Sequence, residues 1–523
     1  MGFFNLFKCN FLLFLPEIFI LFTGIFILFL GVFIINIRRY RYPTLVREIH
    51  YISVFILSIT FLLVFNTPNM SNFIIFNNLL IIDGFATNIK GIVLISVIMC
   101  LLISFEYIKK LGFNMFEYNI LILFSIFGIL CFISSYDLVS LYLALEVQSL
   151  SFYILATLKK DSGFSTEAGL KYFILGALSS GFLLFGISLV YGITGTTNFE
   201  SLTKIILSFD THFSLVYSDN FYNGVFLDFE NRLVLGMLFI MFGILFKMSA
   251  APFHMWSPDV YEGSPTSISV LFAVVPKIGL FAVFSRLLYF TFYDLINVWQ
   301  NVLIISAFLS IVIGTFGALR SYRIKRFLAY SSITHVGYLL VGFSTGSFEG
   351  LSSVFFYLFI YIVMSLNVWS IVLLLEMQYR GQRNKKKRES LRLYYLTDFQ
   401  NLSKNNPVLS LTLLVNLFSM AGVPPLAGFY AKVCVFFSAI EGSLNSLVII
   451  AILLSVISAF YYIRFIKIIY FDSYTDSLYL IQRVDYKKAY VLGATFYFIA
   501  FLFIKPEPFL NFAQKTSLYL ILS

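Results

Sequence analysis

Residues 245–263 read LFKMSAAPFHMWSPDVYEG. Within an apolar run this stretch carries a lysine (Lys247), then three small residues, a proline (Pro252) and a histidine (His254). Each works against a plain membrane helix. A proline removes a backbone hydrogen bond and kinks the helix. The carbonyls it frees need partners in protein or in trapped water. A kinked helix therefore tends to hold a small hydrated pocket, and a lysine beside such a pocket can gain or lose a proton.

The chain around this stretch has the composition of a polytopic membrane protein. Of its 523 residues 59% are hydrophobic and 12% charged, where a soluble domain carries about 25% charged residues. Mean hydropathy is +0.90. A helix needs about 20 mostly apolar residues to cross a bilayer, and that ruler lays down roughly fourteen spans: 11–36, 50–66, 90–107, 118–135, 138–158, 169–193, 232–251, 266–290, 300–319, 325–344, 351–376, 407–434, 447–470 and 488–505. The N-terminal run has too long an apolar stretch for a signal peptide and no small-residue cleavage site. It lacks the Arg- and Ser-rich look of a transit peptide and reads as a retained first helix. Cys9, Cys100, Cys131 and Cys434 stand singly in apolar runs. No Cys/His spacing suits a zinc or iron–sulfur site.

The net charge of +10 is explained by topology rather than by nucleic acid. Loops after odd-numbered helices include the basic stretches RRYRYPTLVR (38–47), Lys109 and Lys110, Lys159 and Lys160, RSYRIKR (320–326) and RGQRNKKKRESLRLYY (380–395). Loops after even-numbered helices are nearly free of Lys and Arg. The longest, 196–231, holds five acidic residues and one lysine. This segregation follows the positive-inside rule and places the odd loops in the cytoplasm or matrix.

The opening stretch has a partner. FKMSAAPFHMW (246–256) pairs with FSMAGVPPLAGF (418–429), with Met248, Ser249, Ala250 and Pro252 against Met420, Ala421, Gly422 and Pro424. The copies sit in helices seven and twelve. An offset of five helices inverts one relative to the other and defines two five-helix repeats, helices four to eight and nine to thirteen. On this pattern the segments are 1–110, a three-helix N-terminal part; 117–290, the first repeat; 300–471, the second; and 488–523, a C-terminal helix. Inverted repeats with interrupted helices are a transporter pattern. A small-small-x-Pro string can also be a simple kink. Pro252, Pro424 and Pro425 mark the expected breaks.

Ionisable residues inside spans cost about 2.5–3.5 kcal/mol each on insertion scales. Glu146 falls about 13–14 Å into helix five and Lys277 about 16 Å into helix eight, both near the middle of a bilayer. Lys247 and Lys432 flank the two breaks, and His335 lies mid-way along helix ten. Singly they admit plain readings: Glu146 in a static ion pair, Lys432 snorkelling, His335 a satisfied core histidine. Together they form a row of titratable groups, the pattern of a proton relay. Glu167 and Lys171, four residues apart, read as an interfacial pair. Asp259 and Glu262 read as fixing the loop after helix seven.

The strings YLALEVQSLSFYILATLKKDSGFSTEAGLKYFILGALSSG (142–181), FKMSAAPFHMWSPDVYEGSPT (246–266), VPKIGLF (275–281), IKRFLAYSSITHVGYLLVG (324–342) and SMAGVPPLAGFYAK (419–432) resemble subunit N of NADH–quinone oxidoreductase, the mitochondrial NADH dehydrogenase subunit 2 family of respiratory complex I. The resemblance runs from about residue 117 to 470 and implies an all-α fold of fourteen helices with broken helices seven and twelve. It implies a proton path through Glu146, Lys247, Lys277, His335 and Lys432, with His335 linking the two halves. A change in a neighbouring subunit would alter the Glu146–Lys247 pairing and pass protons along the row. NADH, FMN, iron–sulfur clusters and ubiquinone would belong to partner subunits, with no cofactor in this chain. The partners implied are other membrane-arm subunits, including sister antiporter-like subunits, and membrane lipids. Abundant Phe (64) and Tyr (33), with Ile and Asn, fit an AT-rich organelle genome. The expected setting is the mitochondrial inner membrane, with a bacterial plasma membrane the alternative. A free-standing cation/proton antiporter and a non-pumping scaffold are the rival readings.

Overall fold

The computed structural model describes residues 10–37, 44–66, 72–111, 116–215, 220–380, 395–472 and 486–522. Cys9 and the basic stretches 38–43 and 381–394, the latter holding RNKKKRE, lie outside the described residues. Helices one to six are Leu15–Ile37, Thr44–Phe65, Gly84–Leu111, Glu117–Ile133, Leu138–Ala156 and Gly163–Thr194. Helix seven runs Asn220–Met248, breaks, and resumes at Trp256–Gly263. Helices eight to eleven are Thr266–Arg286, Ile296–Arg320, Ile324–Phe343 and Phe348–Arg380. Helix twelve runs Pro407–Ala421, breaks, and resumes at Ala427–Glu441; Asn445–Tyr470 and Tyr486–Phe501 are thirteen and fourteen. Eleven of these are long and apolar enough to cross a membrane, and Glu117–Ile133 and Pro407–Ala421 are shorter apolar helices. Helix ten dilutes its hydropathy with Lys325, Arg326 and His335.

Helices eight and eleven form the interior. Their apolar windows are 94% and 89% buried, against 33% for helices one and fourteen. Helix pairs four–five, six–seven and nine–ten approach closely at glycines. A Cβ on Gly186 would sit 2.7 Å from the Gly236 carbonyl oxygen, so helices six and seven meet backbone to backbone, as small residues permit in membranes.

The two breaks fix the relation between the repeats. Ser249 and Gly422 are both left-handed, at φ +62° and +89°. Around each, two N–H groups turn back onto the preceding helix: Ser249 to Phe246 and Ala250 to Leu245, Gly422 to Ser419 and Val423 to Phe418. Ser249 is thus equivalent to Gly422, and Pro252 to Pro425. This register lies one residue later in the second copy than the match of Met248 with Met420. The Pro424–Pro425 doublet offers both alignments, and only the backbone turn chooses. As in the sequence reading, the copies are offset by five helices, so they run oppositely through the molecule.

Several elements differ from expectation. The loop after helix seven is in part a helix: Trp256–Gly263 carries Asp259 and Glu262. Segment 196–231 contains the amphipathic helix Phe199–Leu215 and the start of helix seven. A hairpin, Phe73–Ile75 with Leu80–Ile82, precedes helix three. Its turn holds Asn77 and Asn78 at positive φ, the conformation asparagine tolerates best after glycine. A further helix, Glu507–Leu522, follows helix fourteen beyond Pro506.

The N-terminal helices are tied in by two buried ion pairs. Lys90 of helix three meets Glu17 of helix one at 2.5 Å, and Arg286 of helix eight meets Asp83 at 2.7 Å. Breaking such a pair leaves one charge uncompensated, whereas replacing both partners by apolar residues is often neutral. Lys90→Met should therefore lower stability by about 3–5 kcal/mol, and adding Glu17→Leu should recover most of it. Thermal unfolding of the detergent-solubilised chain checks both; equal midpoints for the single and double variants would refute the pairing argument.

Candidate functional site

A helix that ends inside a membrane leaves its last carbonyls without partners. At the helix-seven break the indole of Trp256 donates to the Phe246 carbonyl at 2.8 Å. At the helix-twelve break Lys432 reaches back and donates to the carbonyls of Met420 and Ala421 at 3.1 and 2.9 Å. A cation there also meets the negative end of the helix dipole. Pro276, inside helix eight, cannot donate to the Phe272 carbonyl. The Tyr261 hydroxyl donates to it instead, at 3.2 Å. The next residue is Lys277.

The three lysines share one kind of partner. Lys247 donates to the Tyr153 hydroxyl at 3.0 Å and Lys277 to that of Tyr361 at 3.1 Å. Each also lies over that tyrosine's ring, at 5.5 and 5.1 Å from the centroid, and Lys432 lies 5.1 Å from the centroid of Tyr338. Such cation–π contacts strengthen when desolvated. Among the described residues none of the three lysines is within ion-pair distance of a carboxylate. The expected Glu146–Lys247 contact is absent. Glu146 instead accepts from Ser149 at 3.2 Å on one oxygen, while its other, buried oxygen lacks a hydrogen-bond partner.

Between Lys247 and Lys277 lies a cavity of about 20 Å³, lined in part by Gln148, Ser149, Ser249 and Tyr261. That is room for about one water. Beyond Lys277, Tyr361 donates to the Ala273 carbonyl at 3.1 Å, and its ring centre is 5.5 Å from that of His335. His335 is held by Tyr357 at 2.7 Å on Nδ1 and by Tyr462 at 3.4 Å on Nε2. Tyr338, one helical turn after His335, carries Lys432 over its ring.

The order along the interior is therefore Glu146, Lys247, the cavity, Lys277, His335 and Lys432. Pro252, Pro424 and Pro425 all lie in the two breaks. The sequence reading missed Tyr153, Tyr338, Tyr357, Tyr361 and Tyr462. Their signal was spacing: Tyr153 is seven residues after Glu146, and Tyr357 and Tyr361 are four apart, each pair on one helix face. Among the described residues no group of three His, Cys, Asp or Glu side chains is placed to hold a metal.

A surface charge network holds the second half of helix seven. Lys171 pairs with Glu167 and with Asp259; Asp259 also pairs with Arg326; Glu262 pairs with Arg323. Asp259 and Glu262 thus pin the broken helix to helices six and ten.

Residues 135–458, more than half of the chain, match the family described as NADH:quinone oxidoreductase/Mrp antiporter, TM. NADH-ubiquinone oxidoreductase chain 2 of Marchantia polymorpha is 42% identical over 99% of this chain and 100% of its own length. NADH-quinone oxidoreductase subunit N of Pelagibacter ubique is 43% identical over 82% of this chain and 84% of its own. A chain of respiratory complex I from Thermus thermophilus shares the fold, with TM-score 0.73 and 24% identity over 95% of this chain and 98% of that one.

Gly422 tests the architecture of the site. Its φ is +89°, and an added Cβ would lie 3.1 Å from Lys432 Cδ and 3.2 Å from its Nζ. Gly422→Ala should cost about 1–2 kcal/mol in backbone strain and also push Lys432 off the two carbonyls. A lowered thermal midpoint for Gly422→Ala, with little change for Gly181→Ala, where nothing lies within 4 Å, is the expected result.

Proposed function

The chain belongs to the family of NADH–quinone oxidoreductase subunit N and NADH–ubiquinone oxidoreductase chain 2, and from that membership we propose that it translocates protons in the membrane arm of such an enzyme. Glu146, Lys247, Lys277, His335 and Lys432 are the groups that carry them. The observation that carries this reading is the environment of the lysines: Lys277 and Lys432 buried and Lys247 partly buried, each held by neutral partners, with Lys247 and Lys277 facing one water-sized cavity. A lysine locked to a carboxylate is stable in one charge state. A lysine held by a phenol and a carbonyl is not, because those partners add little charge of their own.

Helix five suits Glu146 to the role of receiver. Val139, Leu143, Val147, Leu150 and Ile154 form an exposed apolar stripe beside it, where a neighbouring subunit or lipid would lie. A charge moved in that neighbour acts on Glu146 and through it on Lys247. Lys247 then exchanges a proton with Lys277 through the cavity water. Burial disfavours two like charges at short range, so loading one lysine favours unloading the next. His335, held by tyrosines of helices eleven and thirteen, joins Lys277 to Lys432 across the two repeats, taken as 117–290 and 300–471.

The redox chemistry belongs to partner subunits, with their NADH, FMN, iron–sulfur clusters and ubiquinone, and this chain's part is that of a translocase. Its neighbours are the sister antiporter-like subunits and lipid, and its setting is the mitochondrial inner membrane. Lys277→Met and Glu146→Gln should each abolish most proton pumping in assembled enzyme, measured as acidification or alkalinisation of vesicles during NADH oxidation. Intact pumping in both variants would refute the proposal.

A further inference from the structure

A second polar cluster lies next to the helix-twelve break. Asn416 of helix twelve donates through Nδ2 to the Met364 carbonyl at 2.8 Å and to Oδ1 of Asn367 at 3.0 Å. Asn367 of helix eleven donates to the Thr495 hydroxyl of helix fourteen at 2.9 Å, and Thr495 donates to the Val491 carbonyl at 2.8 Å. All donors thus point from the break toward helix fourteen. Asn416 is 1% exposed, and its Oδ1 has no hydrogen-bond partner. Rotating the amide does not help, since both contacts of Nδ2 are to acceptors. A buried carboxamide oxygen with no donor calls for a water.

One turn further along, Ser419 gives its hydroxyl proton to the Met364 sulfur at 3.2 Å, a weak acceptor, while accepting from the Gly428 N–H at 3.1 Å. A water between Asn416 Oδ1 and Ser419 Oγ would serve both better. It would lie beside the carbonyls of Met420 and Ala421 that hold Lys432.

Helix fourteen continues the line. Its buried face is Lys488, Val491, Leu492, Thr495 and Ile499. Lys488 is 1% exposed and sits in the first turn of the helix, the end where the helix dipole disfavours a cation. This residue lies at the end of helix fourteen that the basic odd-numbered loops share. Between Lys488 and Thr495 are two turns, about 10 Å, a distance that a lysine stem and one or two waters span.

We propose that Asn367, Asn416, Ser419 and Thr495 hold a water-bearing branch through which Lys432 exchanges protons with the end of helix fourteen marked by Lys488. The inference rests on the proton-path reading of Lys432. In the transfer, an N–H bond of the Lys432 ammonium breaks as an O–H bond forms on the adjacent water. That water releases one of its own protons to the next, and the amides orient the waters without changing protonation. The reverse sequence loads Lys432.

The test uses the assembled enzyme in vesicles, with assembly checked on native gels. Thr495→Val keeps volume and removes the hydroxyl; Thr495→Ser keeps the hydroxyl. Thr495→Val and Asn416→Leu should slow proton pumping about tenfold, equivalent to about 1.4 kcal/mol, and raise its solvent deuterium isotope effect. Thr495→Ser and Asn416→Ser should pump near the unmodified rate. Lys432→Met is the control. If Lys432→Met stops pumping while Thr495→Val and Asn416→Leu pump normally with an unchanged isotope effect, the branch is overturned and the reading of Lys432 stands. If Lys432→Met itself pumps normally, the proton-path reading falls and the branch with it.

Discussion

Inside a membrane, a carbonyl that loses its helical partner has no bulk water to turn to. That constraint organises this molecule. Among the described residues helices seven and twelve break, after Met248 and after Ala421, and helix eight runs on through Pro276 but lacks one backbone hydrogen bond there. Each time a side chain donates to a carbonyl there: Trp256, beside the Ser249 N–H, then Tyr261 and Lys432. Each of these places also lies beside a buried or partly buried lysine. The breaks are what make those lysines tolerable. They create polar backbone and small cavities at depths where an intact helix would offer only apolar side chains.

The chain uses two kinds of buried cation. Lys90 and Arg286 are bound to carboxylates at 2.5 and 2.7 Å. Their attraction in a low-dielectric interior is strong and is lost as a whole if either partner is removed. The first joins helix three to helix one, and the second fixes Asp83, just before helix three, to helix eight. Lys247, Lys277 and Lys432 are held by phenols, aromatic faces and carbonyls. Those contacts fix position while leaving the charge state to be set by more distant groups. One chain thus separates cations that hold the fold from cations suited to change state, and the identity of the partner makes the difference.

Much of the fold and the charged row was legible because violations are informative. A lysine or glutamate in the middle of an apolar span is costly, so Glu146, Lys247, Lys277 and Lys432 stood out. The tyrosines did not, since a tyrosine in an apolar helix is ordinary packing until its neighbours are known. Glu17 and Lys90 were missed for a related reason. Both lie near the ends of expected spans, where a charge reads as interfacial; the pairing that buries them joins residues 73 positions apart. The repeat was legible but not its register, because Pro424 and Pro425 fit Pro252 equally well. The hairpin before helix three was hidden in a connection too short and mixed to show period-two patterning.

Inverting the repeat gives the two breaks the same backbone turn with different chemistry around it. In the first copy the lysine stands on the helix just before the turn, faces the cavity and leaves its carbonyl to Trp256. In the second the lysine stands beyond the turn and caps the carbonyls itself. Lys247 is therefore positioned to exchange with what enters the cavity, whereas Lys432 is held by a helix end whose partial negative charge favours the cation. On the proposed path that asymmetry would give the row a direction although the two breaks share one backbone turn. A proton coming along that path from the Lys247 side would meet, at Lys432, the one lysine of the three whose ammonium is bound by backbone carbonyls. Moving it on requires that those carbonyls find another donor, and water at the break is the group able to replace it.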